Sequence, residues 1–195
     1  MSDGRPIILA STSLYRRELL SRLRIPFEVV APDVDEAEGH WADLEPSQIA
    51  ASLASAKAAA VASRFPQAIV IGSDQVACIE NRILTKPGTR EKAIEQLEYL
   101  AGQPHLLWTA VTIQAGHQSW DGLDKTQLWM SDLSREAICR YVDVENPLDC
   151  AGAYKFESLG ISLFEKVETH DPTAIVGLPM IFVARVLRQL GIAVP

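Results

Sequence analysis

The sequence predicts an α/β fold built on a mixed sheet, in a single domain. Strand-length apolar runs alternate with helical patterns in the first half, and strand signals cluster between residues 106 and 130. A chain of 195 residues, 48% apolar and 22% charged, is long enough for a sizeable core and ordinary in composition for a soluble globular protein.

The first strand is the run Ile7-Ile8-Leu9-Ala10, which breaks into Ser11-Thr12-Ser13. Ser13 is placed to cap a helix carrying Leu19, Leu20 and Leu23, because its oxygen can accept from first-turn amides. Arg16 and Arg17 oppose the helix dipole there, at about 0.3–1 kcal/mol each, and Arg16 shares the face of Leu19 and Leu20. Two readings fit: a solvated pair on an exposed helix end, or cations beside an anion site made of free amides and hydroxyls. Ile25-Pro26 stops the helix, and residues 27–31 read as a second strand. Asp33, Asp35 and Glu36 follow, as a solvated acidic loop or as oxygen ligands for a hard cation.

Residues 46–64 form an alanine-rich helix opened by proline. Ile49, Leu53, Lys57 and Val61 share one stripe, so Lys57 stands where an apolar group is expected. It either snorkels at the stripe's edge or turns into a cleft toward an anion. The strongest strand signal is 68–79, a continuous apolar run interrupted by Gly72-Ser73-Asp74-Gln75. A carboxylate inside such a strand is costly unless paired, metal-bound or open to a cleft, which makes Asp74 the leading candidate for chemistry; a capped turn is the structural alternative. In a regular strand Asp74 and Gln75 point to opposite sides, so both reach one ligand only if the strand ends or kinks near Gly72.

Ile83-Leu84 is a short return strand, and Lys86 follows in a loop with rigid neighbours, a plausible phosphate contact. Thr89 caps a helix to about residue 100. A strand over 106–114 pairs across Gly116-His117 with a short run near Trp120, and 123–130 forms a strand with one wet face. Ser134 caps a helix ending near Asp143. In Cys150-Ala151-Gly152-Ala153-Tyr154-Lys155-Phe156-Glu157, small residues beside an aromatic, a cation and a carboxylate suit a loop approaching a ligand. Residues 159–167 are apolar, Asp171-Pro172 is a turn, and a final helix buries Met180, Val183, Leu187 and Leu190.

The net charge of −7 argues against a nucleic-acid binder but leaves room for a small phosphorylated ligand held by local cations. Cys78, Cys139 and Cys150 lack metal or redox spacing and fit a reducing compartment. The first six residues are too short and polar for a signal peptide, and no run reaches the ~18 apolar residues of a membrane span, so the cytoplasm is the expected location. Walker, Rossmann, nucleophile-elbow and paired-histidine zinc motifs are absent from the sequence. What remains is local cations plus isolated carboxylates, the parts needed for a phosphate ester and a divalent metal.

Several segments, in order, resemble the Maf-like nucleoside triphosphate pyrophosphatases. They are Ile8 to Ser13 with Arg16-Arg17-Glu18-Leu19-Leu20, Val34-Asp35-Glu36, Lys57-Ala58, Gly72-Ser73-Asp74, Lys86-Pro87, Ala151-Gly152-Ala153-Tyr154 and Val176-Gly177-Leu178-Pro179. Tyr15, Gln75 and Lys155-Phe156-Glu157 are similar to the branch acting on 7-methyl-GTP. The resemblance implies a Maf/ITPase-like fold over 1–195: an elongated twisted sheet with flanking helices and two lobes around a central cleft, often dimeric. It implies hydrolysis of a nucleoside triphosphate between its α and β phosphates with a divalent metal, Mg2+ or Mn2+. Carried over, Asp74 is the general base, and Tyr15, Gln75 and Glu157 are specificity positions. Ser13, Arg16, Arg17, Lys57 and Lys86 bind phosphate, and Glu36 helps hold the metal. A cationic methylated guanine suits the face of Tyr15, and Glu157 suits the guanine N1 and N2 hydrogens. The same reaction on dTTP or UTP is an alternative, as is a nucleotide-binding regulator of cell division or septum formation. The pattern departs at Leu14 (usually proline), Thr85 (usually glycine) and His170 (usually arginine); the second raises the question of backbone strain beside Lys86.

Overall fold

The structure, a computed structural model, describes residues 4–35, 44–80 and 82–194. Among these the elements run β1 (Ile7–Ala10), α1 (Leu14–Ser21), β2 (Glu28–Val30), α2 (Pro46–Ala62), β3 (Ile69–Ile79), β4 (Arg82–Leu84) and α3 (Arg90–Leu100). They continue with β5 (Pro104–Ala115), β6 (Gln118–Met130), α4 (Arg135–Glu145), β7 (Phe164–Glu168) and α5 (Met180–Gln189). The sheet order is β2-β1-β3-β5-β6-β7, with β4 on β3. β1 is parallel to β2 and β3, whereas β4 and β7 join antiparallel, so the sheet is mixed as the sequence pattern implies. Two compact units divide the chain: Met1–Gln75 with Thr109–Asp124 and Asp171–Pro195, and Val76–Trp108 with Lys125–His170.

In the first unit the strands bury both faces, with the period of two that a pleated strand imposes. Ile7, Leu9, Ile69 and Ile71 pack with Leu19 and Leu20 of α1 and with Val183, Val186 and Leu187 of α5. Ile8, Ala10 and Val70 turn the other way, onto Val61 of α2. The alanines of α2 let it come very close. A Cβ on Gly72 would lie 2.5 Å from both the Ala54 carbonyl oxygen and the Ala58 nitrogen. Glycine at 72 therefore serves helix–strand contact, and β3 runs through it without an end or kink, so the condition for Asp74 and Gln75 to share one ligand is not met.

The caps read from local sequence are formed: Ser13, Thr89 and Ser134 each accept from the backbone amide three residues on. The region after Gly116 differs from expectation, because β6 is one strand of 13 residues rather than two short ones. Its apparent breakers have tertiary partners. Asp121 accepts from the Thr112 hydroxyl at 2.6 Å, Gly122 leaves room for the Phe182 ring, and Asp124 accepts from the Asp171 amide at 3.1 Å. The apolar run at 159–167 divides into a 3-10 turn, Leu159–Leu163, and the strand β7.

The second unit packs α3 against α4, with Leu97, Leu100, Ile138 and Val142 buried. At its centre His105 is 2% exposed and its Nε2 lies 2.8 Å from the Tyr154 hydroxyl, beside the Phe164 ring. Burial lowers the imidazole from 6.5 to about 4 and raises the Tyr154 hydroxyl. The ring is thus held neutral in the folded chain, so its stabilisation is complete above pH 6.5 and lost as pH falls through 4, to a total of about 3 kcal/mol. Melting temperatures measured from pH 7 to pH 4 should fall less steeply in His105→Phe than in the parent; equal slopes would exclude this histidine as the cause.

Candidate functional site

The first unit concentrates the polar groups. β1 pairs with β3 in the register Ala10↔Gly72, so the chain leaves β1 for α1 where β3 continues into Ser73 and Asp74. The turn is built from hydroxyls. The Ser13 amide donates to Ser11 Oγ at 3.1 Å, and the Arg16 amide donates to Ser13 Oγ at 3.4 Å. Tyr15 and Arg16 are half-buried on the first turn of α1, and Arg17 is exposed.

On the α2 side of β3, Lys57 and Asp74 form a buried ion pair, Nζ to Oδ1 at 2.5 Å, with side chains 7% and 9% exposed. Lys57 therefore turns inward from its apolar stripe rather than snorkelling, and Asp74 is no turn aspartate. Burying both charges costs several kcal/mol per ion before their attraction is counted, so the pair is a poor device for stability alone.

The opposite face of β3 holds Ser73 and Gln75. Gln75 Nε2 donates to Thr109 Oγ1 and to the carbonyls of Ala174 and Ile175, at 2.9, 2.9 and 3.0 Å. Asp74 and Gln75 thus serve different sides of the strand, and the Gln75 amide nitrogen is engaged within the protein. Ser73 Oγ lies 2.9 Å from the Gly177 carbonyl, which also accepts from Arg16 Nε at 2.8 Å. Gly177 has φ +108°, and a Cβ there would meet Arg16 Nε at 3.3 Å.

The segment before α5 is held by groups that sequence reading missed. Asp171 Oδ1 accepts from the Thr173 amide and hydroxyl, and Oδ2 accepts from the Ile181 amide at 2.7 Å. Thr173 Oγ1 in turn accepts from the Met180 amide at 2.8 Å, which completes the N-terminal capping of α5. The Asp-Pro-Thr spacing before an amphipathic run was the available signal for this cap, but residues 171 and 172 read as a plain turn.

The second unit holds Lys86 and Glu157, both exposed. Lys86 lies between β4 and α3, where the left-handed residue is Gly88 at φ +71°. Thr85 is not among the residues with positive φ, so its substitution for glycine introduces no such strain; its carbonyl accepts from Gln96 Nε2 at 3.1 Å. His170 is exposed. Ala151-Gly152-Ala153-Tyr154 is a tight 3-10 turn with Gly152 at φ +83° and Ala153 at φ +60°, a conformation alanine rarely takes. Glu36 lies outside the described residues. Among the described residues no group of three or more His, Cys, Asp or Glu could hold a metal ion. No described helix is long and apolar enough to cross a membrane.

The fold is a mixed α/β sheet, and its buried carboxylate–ammonium pair joins α2 to β3, the strand paired with the one that leads into a hydroxyl-capped helix start. The chain matches the family model of the Maf-like proteins over residues 6–190 and belongs to that family. It is 50% identical over 189 residues to a 7-methyl-GTP pyrophosphatase of Xanthomonas axonopodis pv. citri (strain 306), covering 97% of this chain and 98% of the relative. It is 47% identical over 192 residues to one of Albidiferax ferrireducens, covering 97% and 96%. Among solved structures, the Staphylococcus aureus Ham1 protein aligns with a TM-score of 0.47 and 15% identity over 66% of this chain and 73% of that one, a likeness too distant to bear on the site.

The pair's energetics separate stability from use. Lys57→Met should destabilise the fold by about 3–5 kcal/mol by leaving Asp74 buried and unpaired. Lys57→Met combined with Asp74→Leu should melt well above the single variant and near the parent. Denaturant unfolding of the three proteins measures both; a double variant no more stable than Lys57→Met would show that the charges are needed for folding.

Proposed function

We propose that the chain hydrolyses 7-methyl-GTP to 7-methyl-GMP and pyrophosphate, with Asp74 as the general base. The observation that carries this reading is the 50% identity, over nearly the whole of both chains, to a relative named for that activity. The site is compatible with the chemistry. Asp74 is 7% exposed, sheltered enough for its charge to act in a low dielectric, and it sits at the strand segment flanked by the α1 turn. Attack of water on an anionic triphosphate needs a base within hydrogen-bond reach and cations that offset the charge developing on phosphate. Ser13, Arg16 and Arg17 supply the helix start and two cations, and Lys57 supplies a third directly beside the base. Lys86 contributes a further phosphate contact. Tyr15 offers an aromatic face to the cationic base, and Glu157 offers two acceptors to its N1 and N2 hydrogens. Gln75 acts on specificity through its hold on the 174–175 carbonyls.

A divalent ion, Mg2+ or Mn2+, fits this donor set in one form. Mg2+ is usually bound through one or two carboxylates plus substrate phosphates and water, not by a cage of protein ligands. Glu36 would supply the carboxylate, and the ion would offset phosphate charge. The three cysteines are free, in keeping with a reducing compartment such as the cytoplasm.

Pyrophosphate release from 7-methyl-GTP, GTP, UTP and dTTP, each with Mg2+, Mn2+ or excess chelator, tests the reading. The methylated nucleotide should give the highest kcat/KM, and chelation should abolish turnover. Asp74→Asn should lower kcat by about 10²–10⁴-fold with a much smaller change in KM. A preference for UTP or dTTP would move the substrate, and full activity in Asp74→Asn would remove the base.

A further inference from the structure

We infer that Glu145 is a positioning residue for base selection, acting through Glu157; the inference rests on the reading of Glu157 as the group that recognises the base. Glu157 is exposed on a loop, and a long side chain can discriminate only if the backbone that carries it is fixed. The structure fixes the backbone on both sides of it from the end of α4.

Glu145 is the last residue of α4, and its side chain is 12% exposed beside Lys155. Its Oε2 accepts from Ser158 Oγ at 2.9 Å and from the Leu159 amide at 3.0 Å. Its backbone carbonyl accepts from Lys155 Nζ at 2.9 Å, a cation placed where the dipole of α4 favours one. One turn earlier, the buried Tyr141 hydroxyl accepts from the Lys155 amide at 3.0 Å. The loop then closes on itself, with the Lys155 carbonyl accepting from the amides of Ser158 and Gly160 at 3.2 and 3.0 Å. A Cβ on Gly160 would stand 2.3 Å from that carbonyl oxygen, so glycine is required for the closure.

Residues 155, 158 and 159 are therefore tied to a single helix end, and Glu157 projects from the short arc between them. Glu145 is the member whose carboxylate reaches the far side of the arc. Its Oε2 satisfies a hydroxyl and an amide beyond Glu157, while its own main chain anchors the lysine before it. Loss of this carboxylate releases the C-terminal half of the arc. The result should be poorer aim of Glu157 at a guanine edge and little change in chemistry at phosphate.

The experiment measures kcat/KM for 7-methyl-GTP and UTP in the parent, Glu145→Ala, Ser158→Ala, Glu157→Gln and the Glu145→Ala/Glu157→Gln double variant, with melting curves for each. Glu145→Ala should lower the 7-methyl-GTP:UTP ratio by about tenfold, the order expected for charge-assisted hydrogen bonds. Ser158→Ala should lower it in the same direction by roughly two- to threefold, and in the Glu157→Gln background Glu145→Ala should have no further effect. An unchanged ratio in Glu145→Ala, with a lowered one in Glu157→Gln, overturns the inference and leaves the role of Glu157 standing. An unchanged ratio in Glu157→Gln removes that role and the inference with it. An equal effect of Glu145→Ala in both backgrounds also overturns it. Should Glu145→Ala fail to fold, the Ser158→Ala ratio decides, and no change there counts against the inference.

Discussion

The ion pair between Lys57 and Asp74 is the constraint to which the first unit is fitted. Two ionic side chains placed between a central strand and a helix gain from each other only when they meet closely, and close meeting requires the two backbones to approach. Gly72 and the alanines at 54 and 58 provide that approach, at a separation no side chain on residue 72 would tolerate. The alanines of α2 follow from the same requirement: where the helix passes Gly72 there is room only for methyl groups. A hydrophobic pair would satisfy the packing at lower cost. Packing alone therefore does not account for the ions, and it is this costly position that the proposed role of Asp74 as general base would explain.

The other face of β3 follows a different rule. There the polar groups answer one another in sequence, from Asp124 to the Asp171 amide, and from Asp171 and Thr173 to the amides that open α5. From the same segment the carbonyls of residues 174, 175 and 177 receive Thr109, Gln75, Ser73 and Arg16. A buried polar group is inexpensive only when satisfied, so this face is rigid because it is complete. Arg16 takes part with its Nε. Its guanidinium is thereby oriented by the protein, which would reduce the side-chain entropy lost in the phosphate contact proposed for it.

Local signals were legible in the sequence and distant ones were not. The caps at Ser13, Thr89 and Ser134, the proline opening α2, and the two-sided burial of β3 each depend on neighbours within a few residues. Lys57 and Asp74 were also legible, because a charge in an apolar stripe or an apolar strand is anomalous without knowledge of its partner. Asp121, Asp124, Asp171 and Glu145 were not. They lie in polar stretches where an acidic residue is unremarkable, and their meaning comes from partners fixed by the fold, as Asp171 is by Asp124, 47 residues away. Gly72 was ambiguous for a related reason: a glycine in a strand can mark a bend or a close approach, and only the position of α2 shows that it is the latter. His105 offered no signal, since a lone histidine in a strand is equally compatible with surface and core.

The two units solve the problem of holding a charged group in contrasting ways. In the first, the carboxylate of Asp74 is buried and immobilised by an ion pair, so its position is set by core packing and is expensive to alter. In the second, Glu157 is exposed, and the surrounding loop is immobilised in its place by Glu145, Tyr141 and the closure at Gly160. Chemistry at phosphate is common to every nucleotide, whereas recognition of a base must distinguish among them. A buried carboxylate on a packed strand can be retained through sequence change elsewhere. An exposed group on a clamped arc can change its identity without disturbing a core, because residue 157 lies at the surface. On the proposed reading of these two residues, selectivity is the property that single substitutions would alter most cheaply.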